Sequence, residues 1–277
     1  MKKFIYNLRT NRNLAIGSIM VLFVLLIAIF AQQIAPYNYD DSFVADKFTP
    51  PCKTHPFGTD DFGRDMFSRI VYGSRISLRV AVLAAAIEIF LGVSIGLLSG
   101  YYGGNIDRVL SFIGDLTWSM PPIIMSMAVI TVLGKGLDNV IIAIAIVSWA
   151  SYARTVRAKT QSLKNMAFVE TGAAFNESDL SLMLRYILPN IVPTIIVLTS
   201  LSIPSTIMST TALSFLGLGS MPPSPDWGLL LSNSMNYIQI APWLAVYPGI
   251  ALVITVFAFN LLGEGLRDLL DPRLQSR

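Results

Sequence analysis

Few side chains in this sequence have the type and spacing that chemistry needs. The single histidine, His55, stands three residues from the single cysteine, Cys52. Two soft donors in one loop do not make a metal site, and one thiol has no partner for an internal disulfide, so His55 reads as a polar loop residue beside Pro56. Nucleotide hydrolysis would call for a glycine-rich loop ending in Gly-Lys-Ser/Thr. The nearest approach, Gly134-Lys135-Gly136, lacks the upstream glycine and the hydroxyl residue. Neither a His-Glu-x-x-His helix nor a Gly-x-Ser-x-Gly elbow is present, which argues against intramembrane hydrolysis. What remains is Glu88, the one acid in the run from Val80 to Tyr102. An ionisable group at that depth is costly unless it is paired or faces a water-filled path. Glu88 is therefore a candidate for a pore or partner face, with a structural pairing as the alternative.

The elements that must position these residues are membrane spans. Hydrophobic residues are 53% of the 277 positions and charged residues 13%, against about 25% charged in an ordinary soluble domain. A span needs about 20 apolar residues. The stretches Leu14 to Ile34, Leu116 to Gly134, Asn139 to Ala153, Tyr186 to Pro225 and Trp227 to Gly263 carry no charge at all. Divided at their Pro and Gly clusters, they predict six helices near 14–34, 79–102, 116–134, 138–157, 190–212 and 243–263, an all-α polytopic membrane protein. A cleaved signal peptide is the rival reading of the N-terminus, but the apolar run is long and reaches Gln32 and Gln33 without a small-x-small site.

Basic loops are retained on the cytoplasmic side. With the N-terminus inside, Lys2, Lys3, Arg9, Arg12, Arg108, Arg154, Arg157, Lys159, Lys164, Arg185, Arg267, Arg273 and Arg277 all fall inside, thirteen of the twenty basic residues. Both termini are then expected in the cytoplasm, with Pro36 to Asp65 outside and Arg79 at a helix start. The pI near 9 follows from these retained loops and requires no nucleic-acid partner. The basic loop from Arg154 to Asn190 is too long for a turn and too apolar for a disordered linker. Its core, Met166 to Asp179, reads as a short helix, an interruption near Asn176 to Ser178, and a second helix with Ser178 as N-cap. An exposed apolar helix of this kind wants a partner groove; lying on lipid headgroups is the alternative.

Here the chain resembles a family. The loop is similar to the Glu-Ala-Ala-x3-Gly-x9-Ile-x-Leu-Pro motif of importer permeases of the ATP-binding-cassette class. Glu170, Leu188 and Pro189 match in spacing, while Thr171 and Gly172 stand for the alanines, Asn176 for the glycine and Tyr186 for the isoleucine. Asn176 tolerates the left-handed backbone better than most residues. Three longer stretches resemble the peptide and nickel permease subfamily, in its C-type subunit. They are His55 to Asp65 with Ser68-Arg69 and Gly73 to Leu78; Ser214 to Gly219 with Pro222-Pro223 and Trp227-Gly228; and Ala258 to Gly263 with Gly265 to Asp268 and Asp271 to Arg273.

The resemblance implies a type I ABC importer permease fold in a prokaryotic plasma membrane. It also implies a homologous B-type permease, two cytoplasmic ATPase subunits that bind ATP and Mg, and an external substrate-binding protein as partners. This chain itself would hold no cofactor. The parts expected are 1–35 (cytoplasmic start and first span), 36–76 (external loop) and 77–277 (permease core, with a coupling loop over 158–190). Coupling to the ATPases is expected at Glu170, Thr171, Gly172, Asn176 and Pro189. Ser214, Gly217, Gly219 and Trp227 join Glu88 as candidates for a pore or partner face, because non-helical backbone at membrane depth is tolerated only against protein or water. Gly92, Gly96 and Gly100 form one smooth helix face, for a subunit contact or for packing inside the chain. Di- or oligopeptides are the expected cargo, with nickel or a metal chelate as the alternative; an ion-coupled carrier resting on Glu88 is a distant one.

Overall fold

The computed structural model describes residues 11–270, so the basic positions at 2, 3, 9, 273 and 277 and the motif residues 271–273 lie outside the described part. The helices are α1 (Arg12–Ile29), α2 (Ala31–Ile34), α3 (Met66–Tyr102), α4 (Gly104–Trp118), α5 (Pro122–Leu133), α6 (Leu137–Leu163) and α7 (Ala167–Ala174). They are followed by α8 (Asp179–Phe215), α9 (Trp227–Ser234) and α10 (Trp243–Leu270). No strand occurs among the described residues; a lone β-bridge joins Thr59 and Asp65. Five helices are long and apolar enough to cross a membrane, and the bent pair α4–α5 makes a sixth crossing if counted as one span.

The third expected span, 116–134, is corrected. The chain bends by 94° between α4 and α5. Pro122 pushes its predecessor out of the helical region, and Pro121 duly lies at φ −53, ψ 129. At 12 residues, α5 is about 18 Å long, well short of the roughly 30 Å hydrocarbon core. Before it, Gly103 and Gly104 take φ of 67° and 55°, which lets α4 turn away from α3. The second span also starts earlier than expected, at Met66, so Arg79 stands within α3 and not at a helix start.

Lipid tails are as apolar as the side chains, so spans associate through close packing and not through hydrophobic expulsion. The Gly92, Gly96 and Gly100 face is one place where that packing is close. A Cβ at Gly96 would come within 2.7 Å of the Ala153 carbonyl and Val156 Cβ, and one at Gly100 within 2.6 Å of Thr160 Cβ. The glycine face thus packs inside the chain, parallel to α6. Elsewhere α1 and α10 run antiparallel, with Gly17 against the Leu261–Leu262 backbone and Asn11 Nδ2 donating to Asp268 Oδ2 at 3.1 Å. Alternation of the spans collects Arg12, Tyr102, Leu163, α7, Asp179 and Leu270 at one end, here the basic end. Ile29, Met66, Leu137, Phe215 and Trp243 gather at the other.

That other end is closed by the folded segment 35–65. His55 is not an open loop residue: it is buried, and its Nδ1 lies 3.0 Å from Asp65 Oδ1. The second oxygen of Asp65 caps α3, accepting from Ser68 N at 2.8 Å and Ser68 Oγ at 2.7 Å. Asp60 pairs with Arg64 at 2.7 Å and with Arg69 at 3.3 Å, and Arg69 Nη2 reaches the Pro223 and Ser224 carbonyls. Arg75 donates to the Ala28 and Ile29 carbonyls at 2.6 and 2.7 Å, a cation at the negative end of α1.

Candidate functional site

Of the segment 158–190, where coupling is expected, the first part is helical, because α6 continues to Leu163. At its centre, α7 buries only Val169 and Gly172 and leaves Glu170, Thr171, Ala173 and Ala174 exposed. Asn176 then takes φ 60°, the left-handed turn expected of it. Ser178 Oγ accepts from Ser181 N at 3.3 Å to start α8. Phe175, at the tip, is 81% exposed; an aromatic so placed beside Glu170 and Thr171 is a knob without a socket in its own chain.

Two residues not among the five coupling candidates, Tyr186 and Glu177, fix this geometry. Tyr186, where the motif has isoleucine, lies over Gly172: a Cβ there would meet Leu182 Cδ2 at 2.7 Å and Tyr186 Cζ at 3.2 Å. The Tyr186 hydroxyl donates to Glu177 Oε1 at 2.6 Å, and Ser181 Oγ donates to Glu177 Oε2 at 2.5 Å. These bonds hold the Glu177 carboxyl below its ordinary titration range, Ser181 contributing most. The departures at Gly172 and Tyr186 are therefore one compensated change, a larger ring accommodated by a smaller partner.

Pro189 does not belong to the exposed tip. It sits near the start of the α-helical part of α8, Leu188–Phe215, directly after the π-helical turn Leu182–Ile187. Proline supplies no N–H and crowds the carbonyl four residues back, and a widened turn accommodates that loss. Buried Val169 shares one core with Val93 and Leu97 of α3, Val156 of α6, and Met183, Ile187, Ile191 and Ile195 of α8. Polar ties run alongside: Tyr101 Oη donates to Asp179 Oδ1, and Lys164 Nζ to the Tyr101 carbonyl, each at 2.9 Å. A push on α7 is thus delivered to three spans through a packed, nearly incompressible medium.

At the opposite end, Ser214, Gly219 and Trp227 are buried within the chain, and only Gly217 is exposed. Ser214 Oγ donates to Asp226 Oδ2 at 2.6 Å, Asp226 Oδ1 caps α9 by accepting from Gly228 N at 2.9 Å, and Trp227 Nε1 donates to the Ile70 carbonyl at 3.0 Å. With Gly217 at φ 76°, these residues set the shape of a loop that turns back into the bundle; three of the four present little surface to a second chain. Asp226 was the overlooked member, though an Asp immediately before an apolar helical run is an N-cap signal. Glu88 is likewise enclosed, 1% exposed, and away from both loops.

The described residues form a polytopic helical bundle with a folded segment on its basic end and a returning loop on the other. Residues 92–276 match the family described as binding-protein-dependent transport system inner membrane component, and residues 1–51 match the N-terminal TM domain of oligopeptide transport permease C. The chain belongs to that inner membrane component family and is a permease subunit of an ABC importer. Among relatives, it is 40% identical to the glutathione transport system permease protein GsiD of Pectobacterium atrosepticum, over 97% of this chain and 89% of the relative. To GsiD of Escherichia coli it is 42% identical, over 94% and 86%. A chain of the methionine ABC transporter MetNI in an inward-facing conformation shares the type I importer fold at TM-score 0.59 and 18% identity, covering 74% of this chain and 98% of that one.

Proposed function

We propose that this chain forms half of the translocation path of an importer for small peptides, with α7 as its coupling element. The observation that carries the coupling reading is the placement of Val169: one face of α7 is locked into the core of α3, α6 and α8, while Glu170, Thr171, Ala174 and Phe175 point outward. In this reading a groove on a cytoplasmic ATPase subunit receives the Phe175 knob. ATP-driven closure of the ATPases displaces α7, and the spans rock between inward and outward access. ATP and the loaded binding protein drive that equilibrium only through unequal affinity for the two states. A homologous second permease supplies the other half of the path. The basic end faces the cytoplasm, since Arg154, Arg157, Lys159, Lys164, Arg185 and Arg267 lie there.

Peptide cargo is supported by the relatives named for glutathione, itself a tripeptide, and by the match of the first 51 residues to an oligopeptide permease domain. The test is the assembled transporter in proteoliposomes. Glutathione and dipeptides should stimulate its ATPase and accumulate, and Glu170→Ala with Phe175→Ala should leave ATP hydrolysis running while uptake falls at least tenfold. Uptake unchanged in that double variant would overturn the coupling role. Stimulation by a nickel chelate and not by any peptide would overturn the cargo reading.

A further inference from the structure

Glu88 is the one acid in the middle of α3, and its surroundings give it nothing to bind. Both carboxyl oxygens are buried, and neither has a hydrogen-bond partner among the described residues. One and two turns before it, Ala84 and Val80 pack on Ile141 of α6. One turn after it, Gly92 lies against Tyr152 and the Trp149 carbonyl. Tyr152, packed on Gly92 of that same face, is no partner either: its hydroxyl is already bonded to Ser202 Oγ of α8 at 2.7 Å, with Thr199 Oγ1 at 3.4 Å. A carboxylate here lacks donors, and a protonated carboxyl would lack an acceptor for its own O–H, so neither form is satisfied by this packing. A leucine or methionine would fill the space without that penalty.

The missing partner therefore belongs to another conformation or to a ligand. On the α8 side, the stretch that bonds Tyr152 is weakly held along its own axis. Pro204 removes the helix bond to the Ser200 carbonyl. Thr199, Ser200, Ser202 and Ser205 all turn their hydroxyls back to carbonyls three or four residues earlier, which loosens and bends a helix. Ser205 already stands exposed. Opening α8 from α6 at this level would free the Tyr152, Thr199 and Ser202 hydroxyls next to the face of α3 that carries Glu88 and Gly92. Together they make an acceptor-rich pocket at mid-membrane, suited to a compact donor-only group of positive charge.

We propose that Glu88 is a specificity-determining residue, which binds the ammonium group of the transported peptide when α8 parts from α3 and α6. This rests on the peptide reading above. In the complete reconstituted transporter, Glu88→Gln keeps size and removes charge. It should raise the KM for uptake of a dipeptide with a free amino terminus by about ten- to a hundredfold, the range of a lost charged hydrogen bond. Binding-protein affinity, basal ATPase and thermal stability in detergent should be unchanged or, for stability, improved. Glu88→Asp should recover part of the lost affinity.

Unchanged KM in Glu88→Gln overturns the proposal, as does a lower kcat with lower stability in both Glu88→Gln and Glu88→Leu, the signature of a structural role. Loss of nickel-chelate uptake with peptide uptake intact would make a metal cation the occupant and also overturns it. If the wild-type transporter carries no peptide, the cargo reading falls and this inference falls with it; if it carries peptide equally well in both forms, only the Glu88 assignment falls.

Discussion

Gly172, Glu177 and Tyr186 set the attitude of α7. Gly172→Val would drive two methyl groups into Leu182 and the Tyr186 ring, so α7 should lift from its bed. The expected result is normal membrane insertion with uptake lost, read by immunoblot and transport in parallel. Glu177 adds a pH dependence. A carboxyl whose folded value lies below its unfolded value contributes stability above the unfolded value and loses it as pH falls through the folded one. The clamp should therefore hold at neutral pH and release in acid, below the ordinary titration range of a glutamate. Amide exchange across 172–187, corrected for intrinsic rates, should accelerate there in the wild type, and Glu177→Gln should lose that acid-dependent step. At the other end, Asp226→Ala leaves the Ser214 hydroxyl and the Gly228 amide unsatisfied in a buried site. A loss of about 2–3 kcal/mol is expected, measured as a lowered melting temperature in detergent.

Between elements, the α3–α6 contact depends on the absence of side chains. Gly96→Val places new carbons against the Ala153 carbonyl and Val156, and overpacking of this kind costs about 1–3 kcal/mol. Because both helices also share the core that holds Val169, the variant should lose ATP-coupled uptake before it loses its fold. Circular dichroism beside transport would separate the two. The double-proline break tells the opposite story: α4 and α5 are bent because Pro121 and Pro122 forbid a straight continuation, and no apolar pattern along 116–134 reports that bend.

For the whole molecule, orientation is the property on which the mechanism turns. Cys52 is exposed and free, and it is the only cysteine, so it serves as a native label for the end opposite the coupling segment. A membrane-impermeant thiol reagent should modify it in intact spheroplasts. In a Cys52→Ser background, Phe175→Cys should react only in inverted vesicles. The reverse pattern would turn the molecule over and remove α7 from the ATPases.

Composition and uncharged run length were enough to determine a helical polytopic membrane protein, because a bilayer leaves the backbone few other solutions. Local chemistry was equally legible where one residue decides it, as in the left-handed turn at Asn176 and the Ser178 cap. Tertiary structure alone decided the rest. It put the glycine face inside the chain, made His55 a buried partner of Asp65, enclosed Ser214 and Trp227, and joined Gly172 to Tyr186 across fourteen positions. Each of these depends on which helix meets which, and hydropathy records only that a residue avoids water, whether its neighbour is lipid, its own chain or a second subunit.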